Sequence, residues 1–174
     1  MSRADDRLAK ATRALEALNP TQVELKGAVT DAYYALFYAL IDLTIALIAP
    51  GPADLEALLA RTFEHKTMKV AAARVSDPRW ASPALRRTLG LEPTSDQDAY
   101  PSQLAEVGKA FKDLQEARHK ADYDRQHALS ETSAAFWVTS ADNALTQLRS
   151  IAGDPRLRAF CWMLLLGEKL TSAR

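Results

Sequence analysis

The chain is short of several residue types, and each shortage closes a class of explanation. A single cysteine, Cys161, excludes an internal disulfide. It sits in the apolar run Ala159-Phe160-Cys161-Trp162-Met163-Leu164-Leu165-Leu166, where a thiol is expected to pack as a small hydrophobe rather than act as a nucleophile. Three histidines, at 65, 119 and 127, and no clustered carboxylates leave no spacing for a zinc or di-metal centre, and no cofactor is expected. The densest set, His119, Asp122, Asp124 and His127, reads as a solvated helix end. With six glycines there is no phosphate-binding loop, and no nucleophile elbow is present. Net charge is lacking too, since 22 basic and 22 acidic residues cancel and remove any global field for nucleic acid or anionic membrane. The N-terminus, Met1-Ser2-Arg3-Ala4-Asp5-Asp6-Arg7, has mixed charge and does not read as a secretory signal, so a cytosolic, reducing compartment is expected.

What is present is apolar and helical. At 174 residues and 48% hydrophobic content the chain is expected to be one domain, with a core over 3–151 and an added C-terminal helix near 155–170. Abundant alanine and leucine without alternating β-branched runs point to an all-α, up-and-down bundle of four to five core helices. Apolar periodicity and stop signals predict helices at 3–18, 20–48, 53–62, 65–75, 102–123, 130–151 and 155–170. Asn19 is expected to cap and Pro20 to open the second of these, with Asp154 and Pro155 doing the same for the last. The segment 77–101, with four prolines, reads as a long surface excursion. Residues 32–49 approach the length of a membrane span, but Asp42 interrupts them and no basic cluster flanks them, so a central bundle helix is expected instead.

Chemistry is suggested where the helical pattern is broken. Leu104, Val107, Phe111 and Leu114 step by three and four, and one more turn places Arg118 on the same stripe. A guanidinium there needs a partner, as a structural ion pair or as part of a site. In the second helix Gly27, Asp31, Tyr34, Tyr38, Ile41 and Ile45 share a side, so Asp31 is expected to pair with Arg118, joined by the hydroxyls of Tyr34 and Tyr38. His65 opens a helix and is either a surface residue or a proton donor folded back beside Arg118. Arg74, Arg79, Trp80, Arg86 and Arg87 combine cations with one aromatic plane. The last four are the candidate RNA contacts.

Three stretches carry a resemblance: Asp31-Ala32-Tyr33-Tyr34-Ala35-Leu36-Phe37-Tyr38-Ala39, then His65-Lys66, then Phe111 through Arg118-His119-Lys120-Ala121-Asp122-Tyr123. Together they resemble the blocks of HEPN domains, in the group with an arginine followed by Ala-Asp-Tyr. The resemblance implies a helical bundle forming a two-fold dimer with a composite cleft, and many relatives are metal-independent endoribonucleases. Their motif is an arginine, a polar residue, and a histidine after four to six intervening residues. Arg118 and His119 match the first two positions, and Tyr123 stands where the histidine is expected. The implied catalytic set is Arg118, His119, Asp122, Tyr123 and His65. A phenol is a poor base at neutral pH, whereas imidazole changes charge near it. The resemblance thus implies an RNA-directed protein, a toxin or defence effector, or else a non-catalytic module that binds a nucleotide or a partner such as a minimal nucleotidyltransferase. From packing alone, a scaffold whose C-terminal helix docks on another chain is the third reading.

Overall fold

A computed structural model describes residues 2–75, 102–124 and 126–167, and every regular element among them is helical. In order these are α1 (Arg3–Leu15), α2 (Gln22–Ile48), α3 (Ala53–Ala60), α4 (His65–Arg74), α5 (Ser102–Tyr123), α6 (Glu131–Ser150) and α7 (Pro155–Leu166). The all-α expectation holds. The excursion at 77–101, with Arg79, Trp80, Arg86 and Arg87, lies outside the described residues.

Caps explain most of the boundaries, including three that differ from expectation, the end of α1, the start of α2 and the end of α7. Ser2 opens α1 through a reciprocal box with Asp5. That helix stops at Leu15, short of residue 18, because the chain turns through Asn19 in the left-handed region at φ 57°, and Leu18 is left 94% exposed. Asn19 therefore serves the turn, and Thr21 is the residue that caps α2. Thr21 Oγ1 accepts from the Glu24 amide at 3.3 Å, and the Glu24 carboxylate accepts from the Thr21 amide at 2.7 Å. The Thr21 amide, and after it the Thr21 hydroxyl donating to the same carboxylate at 2.8 Å, hold the Glu24 carboxyl below its ordinary range. Ser130 caps α6 by accepting from Ser133 N at 3.1 Å. Asp154 caps α7 with Pro155 beside it, and its bonds to Arg156 lower its pKa. The last helix ends at Leu166 on Gly167, whose φ of 53° suits a residue without Cβ.

Two compact units are formed, and α2, α5 and α6 contribute to both. The first comprises Met1–Ala39 and Ala110–Thr146. Its interior packs Leu25, Val29, Ala117, Ala121, Leu129 and Ala134, with Leu15 and Trp137 half-buried against them. Alanine at 117, 121 and 134 leaves room for close helix approach, and the buried rings of Tyr33 and Phe111 lie 5.5 Å apart. Burial pushes the Tyr33 phenol pKa well up, with the Tyr34 phenol adding to the shift. Gln22 ties the segment before α6 to α2, donating to Leu129 O at 2.8 Å and accepting from Leu129 N at 2.9 Å.

The second unit comprises Leu40–Lys109 and Gln147–Arg174, in which α4 packs on α7. Gly108 of α5 meets the end of α4 so closely that a Cβ there would sit 2.4 Å from both Ala72 O and Val75 Cγ2. Cys161 is fully buried, and desolvation raises its thiol pKa to about 11 against the opposing effect of Thr44. Arg158 donates to Leu47 O at 3.2 Å near the C-terminal end of α2. By length and composition α2 is apolar enough to cross a membrane, and 56% of its most apolar window is buried inside the structure.

Candidate functional site

The last two turns of α5 carry the site in the first unit. The buried stripe continues from Leu114 through Ala117 and Ala121, so Arg118 lies at its edge and not at its centre. Stepping by three from Leu114 keeps the smaller residue inside, and the arginine side chain retains 20% exposure. Its desolvation cost is correspondingly less than that of a sealed cation.

Asp122, one turn on, places Oδ2 2.6 Å from Arg118 Nε, while Nη2 donates to Tyr34 OH at 3.3 Å. The Asp122 oxygen lies off the line of the Nε–H bond. The pair is therefore an electrostatic contact, and the buried Nε has no aligned acceptor among the described residues. Asp122 is steadied from α2 by Thr30, whose hydroxyl donates to Oδ1 at 2.8 Å. The guanidinium also lies 5.6 Å from the Tyr34 ring centroid and 5.7 Å from that of Tyr123.

Asp31 does not pair with Arg118. It is 5% exposed and is neutralised from α1, by Arg7 at 2.5 Å and Lys10 at 2.8 Å. The hydrogen bond to Asp31 is the main reason the Arg7 pKa is raised. Arg7 also lies 5.7 Å from the Tyr34 ring, so guanidinium groups from α1 and α5 both approach one phenol ring of α2. Tyr38 stacks on Tyr34 at 5.9 Å and carries Arg3 at 5.0 Å from its own centroid. Tyr34 thus joins the Arg118 network as expected, and Tyr38 is linked to it through Tyr34.

On the outer side His119 and Tyr123 lie ring to ring at 4.9 Å, and Tyr123 is 66% exposed. The helix is intact through Tyr123, so His119 reaches Arg118 only by way of that ring. Asp124 organises the following turn by accepting from Gln126 N and His127 N. His65, the first residue of α4, belongs to the second unit. Among the described residues no three His, Cys, Asp or Glu side chains come together as a metal site.

Chemically, the cluster offers a cation held on two aromatic rings, with an imidazole and a phenol turned toward solvent. Arg3, Arg7, Lys10 and Thr30 were not expected here. The first three repeat at i, i+4 and i+7 along α1, a basic stripe that helical periodicity could have revealed. Compared with protein-family models, with curated proteins and with solved structures, the chain gives no match.

Proposed function

We propose that this chain is a HEPN-type, RNA-directed protein that acts as a metal-independent endoribonuclease through Arg118, His119 and Tyr123. One observation carries the reading: Arg118 is held at the edge of the core by Asp122 and Tyr34, and the solvent-facing Tyr123 ring connects it to His119. Cleavage without metal needs a cation for the developing phosphorane charge, a base for the 2′ proton and an acid for the leaving 5′ oxygen. Arg118 fills the first role. The imidazole of His119 takes the 2′ proton, and the Tyr123 phenol donates toward the leaving oxygen. Asp122 and Tyr34 fix the guanidinium, which makes them positioning residues. The same reading takes the protein as a cytosolic homodimer, with two such helix ends lining one cleft, in the role of toxin or defence effector.

A second reading is favoured by the contact between Asp122 and Arg118 Nε, which neutralises the cation a phosphorane would need. On that reading the chain is a non-catalytic HEPN module for a nucleotide or for a protein partner such as a minimal nucleotidyltransferase.

The test is incubation of a mixed RNA pool in EDTA with wild type, Arg118→Ala and Tyr123→Phe, with Tm measured in parallel. Cleavage by wild type that Arg118→Ala abolishes, at a cost of about 1–2 kcal/mol in stability for a partly exposed pair, supports the nuclease. Intact RNA with all three proteins, together with loss of nucleotide or partner binding in Arg118→Ala, supports the module.

A further inference from the structure

A threonine inside a helix can turn its hydroxyl back to the carbonyl one turn before it. Thr12 does so, donating to Leu8 O at 3.1 Å, and so does Thr44, donating to Leu40 O at 2.7 Å. Thr30, inside α2, does not. Its hydroxyl crosses to α5 and donates to Asp122 Oδ1 at 2.8 Å, one turn along α2 from the Tyr34 hydroxyl that accepts from Arg118. All four residues belong to the first unit.

That bond divides the Asp122 carboxylate. Oδ1 takes the Thr30 hydroxyl, and Oδ2 is the oxygen set against Arg118, 2.6 Å from Nε and off the line of its N–H. An arginine and a carboxylate bind most strongly as a fork, with two oxygens accepting two parallel N–H bonds. Here the fork is not made, because one of the two oxygens is engaged elsewhere. Among the described residues the Nη groups make one hydrogen bond, to the Tyr34 hydroxyl at 3.3 Å. The guanidinium is thus held in place by one carboxylate oxygen, one phenol and two rings, and it keeps unused donors on a side chain that is 20% exposed.

We infer that Thr30 is a positioning residue that keeps the Nη end of Arg118 open to a phosphate oxygen, by holding one oxygen of Asp122 away from the guanidinium. With Thr30 in place, Asp122 fixes the cation without saturating it. Without that hydroxyl the second oxygen turns to Arg118, the fork closes, and the carboxylate competes with phosphate for the same donors. Thr30 therefore acts on RNA only through Asp122. This inference rests on the RNA-directed reading of the site, and it accounts for how a cation in contact with a carboxylate stays available.

The experiment is anisotropy of a labelled 2′-O-methyl oligouridine in EDTA, a strand that keeps its phosphates and has no 2′ hydroxyl to react. The full chain is compared as wild type, Thr30→Val, Thr30→Ser, Asp122→Asn, the double variant Thr30→Val with Asp122→Asn, and Arg118→Ala, with Tm measured in parallel. Thr30→Val keeps the side-chain shape and is expected to weaken binding several-fold, whereas Thr30→Ser keeps the hydroxyl and should bind as wild type. Asp122→Asn should bind at least as tightly as wild type, and adding Thr30→Val to it should change nothing further. That dependence separates positioning from a merely structural role, in which Thr30→Val would weaken binding equally in both backgrounds. If Thr30→Val fails to fold, Thr30→Ala, a better helix former that also lacks the hydroxyl, takes its place. Wild-type affinity without the hydroxyl, an equal loss in the Asp122→Asn background, or weaker binding by Asp122→Asn itself overturns the role of Thr30. Any of these, alongside loss of binding in Arg118→Ala, leaves the RNA-directed reading standing. No binding by wild type overturns both.

Discussion

Replacing Asp31 with asparagine removes one negative charge while keeping the side-chain volume and an acceptor oxygen. In the folded chain that carboxylate is 7% exposed at its side chain and meets Arg7 at 2.5 Å and Lys10 at 2.8 Å. Removing one partner of a fully buried pair costs about 3–5 kcal/mol, mostly for the charge left behind. Here the partners left behind are the cations, with side chains 40% and 62% exposed, and water reaches both. Roughly half of the full penalty should therefore apply, about 2 kcal/mol, or about 4–8 °C in Tm for a chain of this size. Denaturant and thermal unfolding of Asp31→Asn measure it directly. Double-mutant cycles should assign the larger coupling, above ~1 kcal/mol, to Arg7 and a smaller one, under ~1 kcal/mol, to the more exposed Lys10. A Tm within about 1 °C of wild type, or no coupling to Arg7, would show that the α1 cations do not hold this carboxylate in solution.

Two further outcomes come from the second unit. Gly108→Ala puts a methyl 2.4 Å from the Ala72 carbonyl oxygen and should destabilise by about 1–3 kcal/mol through forced separation of α5 and α4, read from the denaturation midpoint. Burial keeps the Cys161 thiol neutral, so its contribution is complete below the ordinary thiol value of 9.0 and is lost as the pH rises toward about 11. Wild type should accordingly lose about 2–3 kcal/mol more than Cys161→Ala over that interval, and equal losses would place the thiol in water.

The helices were legible because their ends are written in short-range chemistry. Ser130, Asp154 and Pro155 stand where their caps are used. The start of α2 was misplaced because Asn19-Pro20 outweighed the Thr21 to Glu24 box, although that signature is also local. The site was legible only in part. Arg118 announced itself by interrupting an apolar stripe, and Tyr34 by lying in a polar seam of α2. Which carboxylate met which cation was not legible, because Asp31 and Asp122 both suit an arginine and only the docking of α1 decides between them. Helical spacing places residues on a face, but it does not say which other face will be opposite.

The end of α5 has a further property. Asp122 and Asp124 put negative charge where the helix already exposes its carbonyls, an arrangement that frays a helix left to itself. Here α2 stands in for the missing cap, with Lys26 donating to Asp124 O at 3.0 Å and Thr30 to Asp122 Oδ1 at 2.8 Å. Arg118, Asp122 and Tyr123 therefore occupy a stretch whose order is lent by a neighbour. As an isolated peptide, α5 would keep its middle and lose the turns that bear these side chains, so the cluster arises from the assembled unit and not from any one of its helices.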